Sequence, residues 1–269
     1  VDKTTANVLK IFDALNASGI TVYKGAASGL VDSIKNASFV HGSDGLGDCG
    51  IADSNREFEA EPAALALIRL AIKKPGELTL VAIGPLTNLA LALKLDPNLP
   101  SYFKRLVIMG GAFLGQGNTQ KLPVEFNFYA DPDAAFVVFD NWPKFTMVSW
   151  ETTVEHGIPL NYFTSLFQMN TPASCFIKKI SEKSHGHIRK VLKRDKNFNA
   201  DPLAMAIAID PSIVLDSEEK YVQIERYGQL TQGMTVVDWF NQSGRKPNVE
   251  IVRKVNFERF FELFRLAFI

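Results

Sequence analysis

Apolar positions along this chain switch repeatedly between helical and extended spacing. Val8, Ile11, Phe12 and Leu15 fall on one face of a helix that Thr4 or Thr5 can cap and Gly19 can end. Ile20–Tyr23 reads as a short strand, and residues 26–60 as irregular chain with a dense turn signal, HGSDGLGD, at residues 41–48. Glu61-Pro62 opens an Ala/Leu/Ile-rich helix that Pro75-Gly76 stops near Lys74. Leu78–Ile83 is a continuous apolar run of strand length, as a strand buried on both faces requires. A helix over Leu86–Leu95, a strand over Arg105–Met109, a helix from Asp131-Pro132 to about Asp140 and a strand over Phe145–Trp150 follow. Residues 160–195 read as mainly helical, and Asp201-Pro202 opens another apolar helix. Tyr221–Glu225 and Val249–Val255 read as late strands, and Phe257–Phe268 as an amphipathic terminal helix.

Strands alternating with helices imply βαβ units. The expected fold is therefore α/β: one domain over residues 1–269, an open, mainly parallel sheet flanked by helices. The first element is a helix with no strand feeding it, so the chain reads as starting inside a unit, with its first strands missing.

Composition narrows the partners. Lys plus Arg and Asp plus Glu each number 29, which gives no electrostatic case for nucleic acid or an anionic membrane surface. No apolar run reaches the roughly 20 residues of a membrane span. Cys49 and Cys175 form neither metal-type spacing nor a disulfide framework, so a reducing, cytoplasmic setting is expected.

Candidate chemistry gathers between the Arg105–Met109 strand and the Asp131 helix, in GGAFLGQGNTQKLPVEFNFYADPDAA (residues 110–135). Asn118, Glu125, Asn127 and Asp131 offer the carboxylate and amide groups that bind a polyhydroxylated ligand, at the strand ends where open α/β sheets place ligands. In extended backbone Glu125 and Asn127 face one side and Phe126 the other. The glycines also invite a phosphate, but neither GxGxxG nor a Walker spacing is present. Asp131 reads as a helix cap, and Asp201 as either a cap or a ligand group. His41 is a candidate acid or base, while His156, His185 and His187 read as lying on solvated faces.

Eight collinear segments then resemble the inosine-uridine-preferring nucleoside hydrolase family. They are ITVYKGA (20–26), HGSDGLGD, LTLVAIGPLTNLALAL (78–93), LVIMGGA (106–112), the GN…VEFNFYADPDAA stretch, DPLAMAIAID (201–210), and TQGMTVVDW with PNVEIV. The resemblance implies hydrolysis of the N-glycosidic bond of ribonucleosides on a single α/β domain carrying calcium, in a homodimer or homotetramer. It implies Thr87 as the source of a main-chain calcium ligand and Asp201 as a carboxylate ligand. It also makes Asn118, Glu125 and Asn127 ribose contacts, with Met109 lining the pocket and Phe126 beside it. A non-catalytic ribose- or nucleoside-binding protein is the alternative.

Two departures accompany the resemblance. The family's aspartate-rich DxDxxxDD motif, source of most calcium carboxylates and of the general base, is absent. VDKTTANVLKIF resembles the helix after the family's second strand, so roughly 40 residues would precede it. Ala200 stands where many members carry a histidine that protonates the leaving base.

Overall fold

The computed structural model describes residues 1–32, 41–190 and 195–269, with residues 183–190 as helical backbone only. In chain order the helices are α1 (Asp2–Ala14), α2 (Ala63–Lys73), α3 (Thr87–Leu95), α4 (Leu99–Tyr102), α5 (Phe126–Ala130), α6 (Pro132–Asn141), α7 (Trp150–Glu155), α8 (Leu160–Ser165), α9 (Pro172–Lys190), α10 (Ala200–Ile209) and α11 (Phe257–Leu266). The strands are β1 (Thr79–Ala82), β2 (Arg105–Met109), β3 (Phe145–Val148), β4 (Ile158–Pro159), β5 (Lys196–Asn197), β6 (Val214–Lys220), β7 (Val222–Ile224), β8 (Thr235–Val237) and β9 (Val249–Val255).

The central sheet has the order β1-β2-β3-β9-β6. Its first four strands are parallel and β6 pairs antiparallel with β9. Alternation along β2 divides the core. Leu106 and Ile108 face the layer of α2, α3 and α6, meeting Ala71, Leu89, Val138 and Phe139. Val107 and Met109 face Leu203, Ala204 and Ile207 of α10 and Phe260 of α11. The mainly parallel α/β expectation holds.

Several local expectations do not. Neither Thr4 nor Thr5 caps α1: Val1 occupies that position without a side-chain bond, and the Thr5 hydroxyl donates back to the Val1 carbonyl. Ile20–Tyr23 contributes a single parallel bridge, Tyr23 with Glu59, rather than a strand. The strand expected over Tyr221–Glu225 is β7, but it pairs with β8 in a separate hairpin. The sheet edge is instead β6, whose VLDSEEK sequence has no apolar run; Glu218 pairs with Arg253, and the Ser217 hydroxyl donates to Glu250. Charge on an outer strand guards it against pairing with other chains.

Candidate active site

The site begins where β2 ends at Met109 and the chain turns through Gly110-Gly111. Gly111 has φ of 77°, and a Cβ there would lie 2.6 Å from Thr235 Oγ1 and 2.8 Å from the Phe128 ring. Glycine is therefore required on both conformational and packing grounds. From this turn the chain runs to a three-residue step, Glu125–Asn127, in which Glu125 and Asn127 are buried.

Glu125 is the N-cap of α5, which corrects the extended reading of this step. Its carboxylate accepts from the amides of Asn127 at 2.9 Å, Gly111 at 3.0 Å and Phe128 at 3.4 Å. Burial raises its pKa to about 7; the three amides oppose that rise, and the neighbouring charge of Asp201 adds to it. Asn127, in the first turn of α5, is buried and donates its Nδ2 to the Met109 carbonyl at 3.0 Å. The bond fixes the amide orientation, and Oδ1 remains as an acceptor. Met109 is buried, with Sδ 3.2 Å from the same Nδ2. Asn118 is exposed and accepts from the Phe126 amide at 2.9 Å, which ties the loop to the start of α5. Phe126 is half-buried beside it.

Asp201 joins this group from the other side. Arg105, at the start of β2, donates to the Ala208 carbonyl near the end of α10, so α10 runs against β2 and its beginning lies beside Met109. Asn199 is the N-cap of α10, which places Asp201 inside the first turn. Among the described residues no hydrogen bond engages its carboxylate. The side chain opens to solvent, yet surrounding chain excludes enough water to raise its pKa to about 6. The structure thus brings together Met109, Glu125, Asn127 and Asp201, with Asn118 at the margin.

Thr87 stands at the start of α3. As the first residue of α3 its carbonyl points along the helix, and its buried hydroxyl donates to Asp131 at 2.6 Å. Asp131 also accepts from the amides of Leu30 and Ala134, so it caps α6 and ties three segments together. His41 is exposed, in a loop held to α1 by Asn7 and Lys3. No described contact links it to Glu125 or Asn127. His156 is buried, not solvated: Nδ1 donates to the Thr152 carbonyl at 2.8 Å and Nε2 accepts from the Val255 amide at 3.1 Å. His185 and His187 fall where side chains lie outside the described residues.

Among the described residues no three metal-ligating side chains are grouped to hold an ion. Calcium takes six to eight oxygens. Glu125 and Asp131 are committed to backbone donors, and Asp201 alone does not make a calcium cage. Two residues that the sequence reading did not single out also shape the site. Thr235 Oγ1 accepts from the Ala112 amide, and the Glu151 carboxylate accepts from Phe113, Leu114 and Gln116. These contacts join positions 35 to 123 residues apart, which no local pattern marks.

A mainly parallel α/β sheet whose strand ends gather a buried carboxylate, a fixed carboxamide and an open carboxylate is suited to a polyhydroxylated ligand. Comparison gives that class its family. The model of the inosine-uridine preferring nucleoside hydrolases matches residues 1–262. A non-specific ribonucleoside hydrolase of Escherichia coli strain K12 is 34% identical over 260 residues, 97% of this chain and 83% of that protein. A solved plant nucleoside hydrolase superimposes with a TM-score of 0.92 at 28% identity, covering 99% of this chain and 86% of that one. An inosine-guanosine nucleoside hydrolase gives 0.90 at 31%, with the same coverage. The chain belongs to the inosine-uridine preferring nucleoside hydrolase family. No helix among the described residues is long and apolar enough to cross a membrane.

Proposed function

We propose that this protein hydrolyses the N-glycosidic bond of ribonucleosides, adding water across it to release free base and ribose. The observation that carries the reading is the Glu125–Asn127–Met109 constellation facing Asp201 at the end of β2. Ribose hydroxyls would donate to Asn127 Oδ1 and to the Glu125 carboxylate, with Asn118 and Phe126 at the outer margin and Met109 beneath. Breaking the bond builds positive charge on the sugar, which fixed carboxylates and amide dipoles stabilise. With a pKa of about 6, Asp201 is ionised at neutral pH and contributes to that field.

In this reading Asp201 is the chain's carboxylate toward calcium, an ion that would orient ribose hydroxyls and the attacking water. Thr87 would add a main-chain oxygen to the same ion, and His41 is the chain's candidate acid or base. A second reading, nucleoside binding without hydrolysis, is supported by the commitment of Glu125 and Asp131 to backbone amides. The reading also carries a cytoplasmic setting and a homodimer or homotetramer, the latter measurable by light scattering.

Titration calorimetry with inosine, with and without calcium, should be paired with a reducing-sugar assay. Binding together with ribose release supports hydrolysis. Calcium-independent binding without release selects the second reading, and no binding overturns both.

A further inference from the structure

Leu203, Ala204 and Ile207 of α10 pack in one apolar cluster with Val107 and Met109 of β2. Such contacts have no direction, so they press the helix onto the sheet without fixing where it stands along its own axis. Hydrogen bonds fix that. Among the described residues one of them joins α10 to β2: Arg105 Nη2 donates to the Ala208 carbonyl at 2.5 Å. That carbonyl is among the last four of the helix, which have no partner inside it, and the half-buried guanidinium also meets the negative end of the helix dipole. The other end of α10 is held less directly. Asn199 makes no side-chain cap bond, its carboxamide bonds to Asn197 beside it, and the β4–β5 pairing stops at Asn197.

We propose that Arg105 is a positioning residue for Asp201: by fixing α10 lengthwise on β2 from the far end, it sets how far the open carboxylate stands from Asn127 and Glu125. The effect on a ligand rests on the nucleoside reading above, in which all three groups meet the ribose. From Ala208 back to Asp201 the helix rises roughly 10 Å, and from Arg105 to Met109 the strand rises roughly 13 Å. The two spans agree to within the reach of an arginine side chain, so the bond at one end brings Asp201 level with Met109 at the other. Among the described residues nothing hydrogen-bonds the Asp201 carboxylate, so no local contact corrects a slip of the helix. A misplacement of about 1 Å can cost a site about a hundredfold in rate.

The test is a double-mutant cycle on the full chain. Arg105→Met keeps the apolar stem and removes the donors, and Asp201→Asn removes the charge being positioned. By calorimetry, Arg105→Met should weaken inosine binding about tenfold alone and by less than about twofold in the Asp201→Asn background. Arg105→Lys keeps a cation at the helix end and should stay within about threefold of the wild type. Equal losses in both backgrounds make Arg105 an ordinary stabilising residue and overturn the proposal.

Methyl NMR reads the helix position without a ligand. Contacts between Leu203 or Ile207 and Val107 or Met109 should shift in Arg105→Met and return in Arg105→Lys; unchanged contacts overturn the proposal whether or not inosine binds. Should Arg105→Met not fold, Arg105→Gln, with a neutral donor on a shorter stem, takes its place with the same expectations. If Asp201→Asn abolishes binding, the methyl contacts decide alone. Failure of the wild type to bind inosine overturns the nucleoside reading, and the same contacts still judge the strut.

Discussion

Glu125→Gln separates the charge of this carboxylate from its shape. A glutamine with its carbonyl at the Oε2 position keeps the Gly111 and Phe128 donors, while its NH2 faces the Asn127 amide that Oε1 accepts from at 2.9 Å. That mismatch is a pH-independent cost of about 1–3 kcal/mol. The charge contributes a pH-dependent part. Folding raises the Glu125 pKa from 4.5 to about 7, so the folded state holds a proton that the unfolded state has released between those values. Wild-type stability from this group is complete below pH 4.5, falls as pH rises, and stops falling above pH 7. At about 1.4 kcal/mol per pH unit the wild type should lose roughly 2.5 kcal/mol between pH 5 and 8 relative to Glu125→Gln. Urea unfolding of both proteins at pH 5, 6, 7 and 8 measures the gap. Parallel profiles would refute the argument, because they mean that Glu125 is already ionised at low pH in the fold.

Asn127→Ala removes both the bond to the Met109 carbonyl and the free Oδ1; inosine affinity by calorimetry should fall about tenfold or more, and turnover by a larger factor. Asp131→Ala strands the Leu30 and Ala134 amides and the Thr87 hydroxyl, so urea unfolding should report a loss of about 3 kcal/mol. His156→Phe fills the same space but leaves the Val255 amide without its acceptor; it should cost about 1–3 kcal/mol, with faster amide exchange at Val255.

The parallel core was legible because its strands are short apolar runs between helix signals, and the Asp131-Pro132 cap behaves as its residue types require. Polar edges hid the rest. VLDSEEK has no hydrophobic period, since β6 is stabilised by charged cross-strand pairs with β9. The Glu125–Asn127 cluster was visible as chemistry, but its backbone was not: a carboxylate accepting from its own downstream amides starts a helix within a stretch that reads as a connection. His156 looked like a surface histidine because its two partners, Thr152 and Val255, are 4 and 99 residues away. Thr87 was marked by motif alone, and its hydroxyl bond to Asp131, 44 residues away, left no local signal.

The loop from Gly110 to Asn118 also bears on the kinetics of capture. A loop whose amides all donate to acceptors inside the protein has little freedom left to lose when a ligand arrives, so the entropic toll that a floppy recognition loop would impose is largely met during folding. Association should then be limited by diffusion and orientation, without a slow closing phase contributed by this loop. Amide exchange across these nine residues should be as slow in the free protein as in a complex, which is the behaviour of a rigid mould.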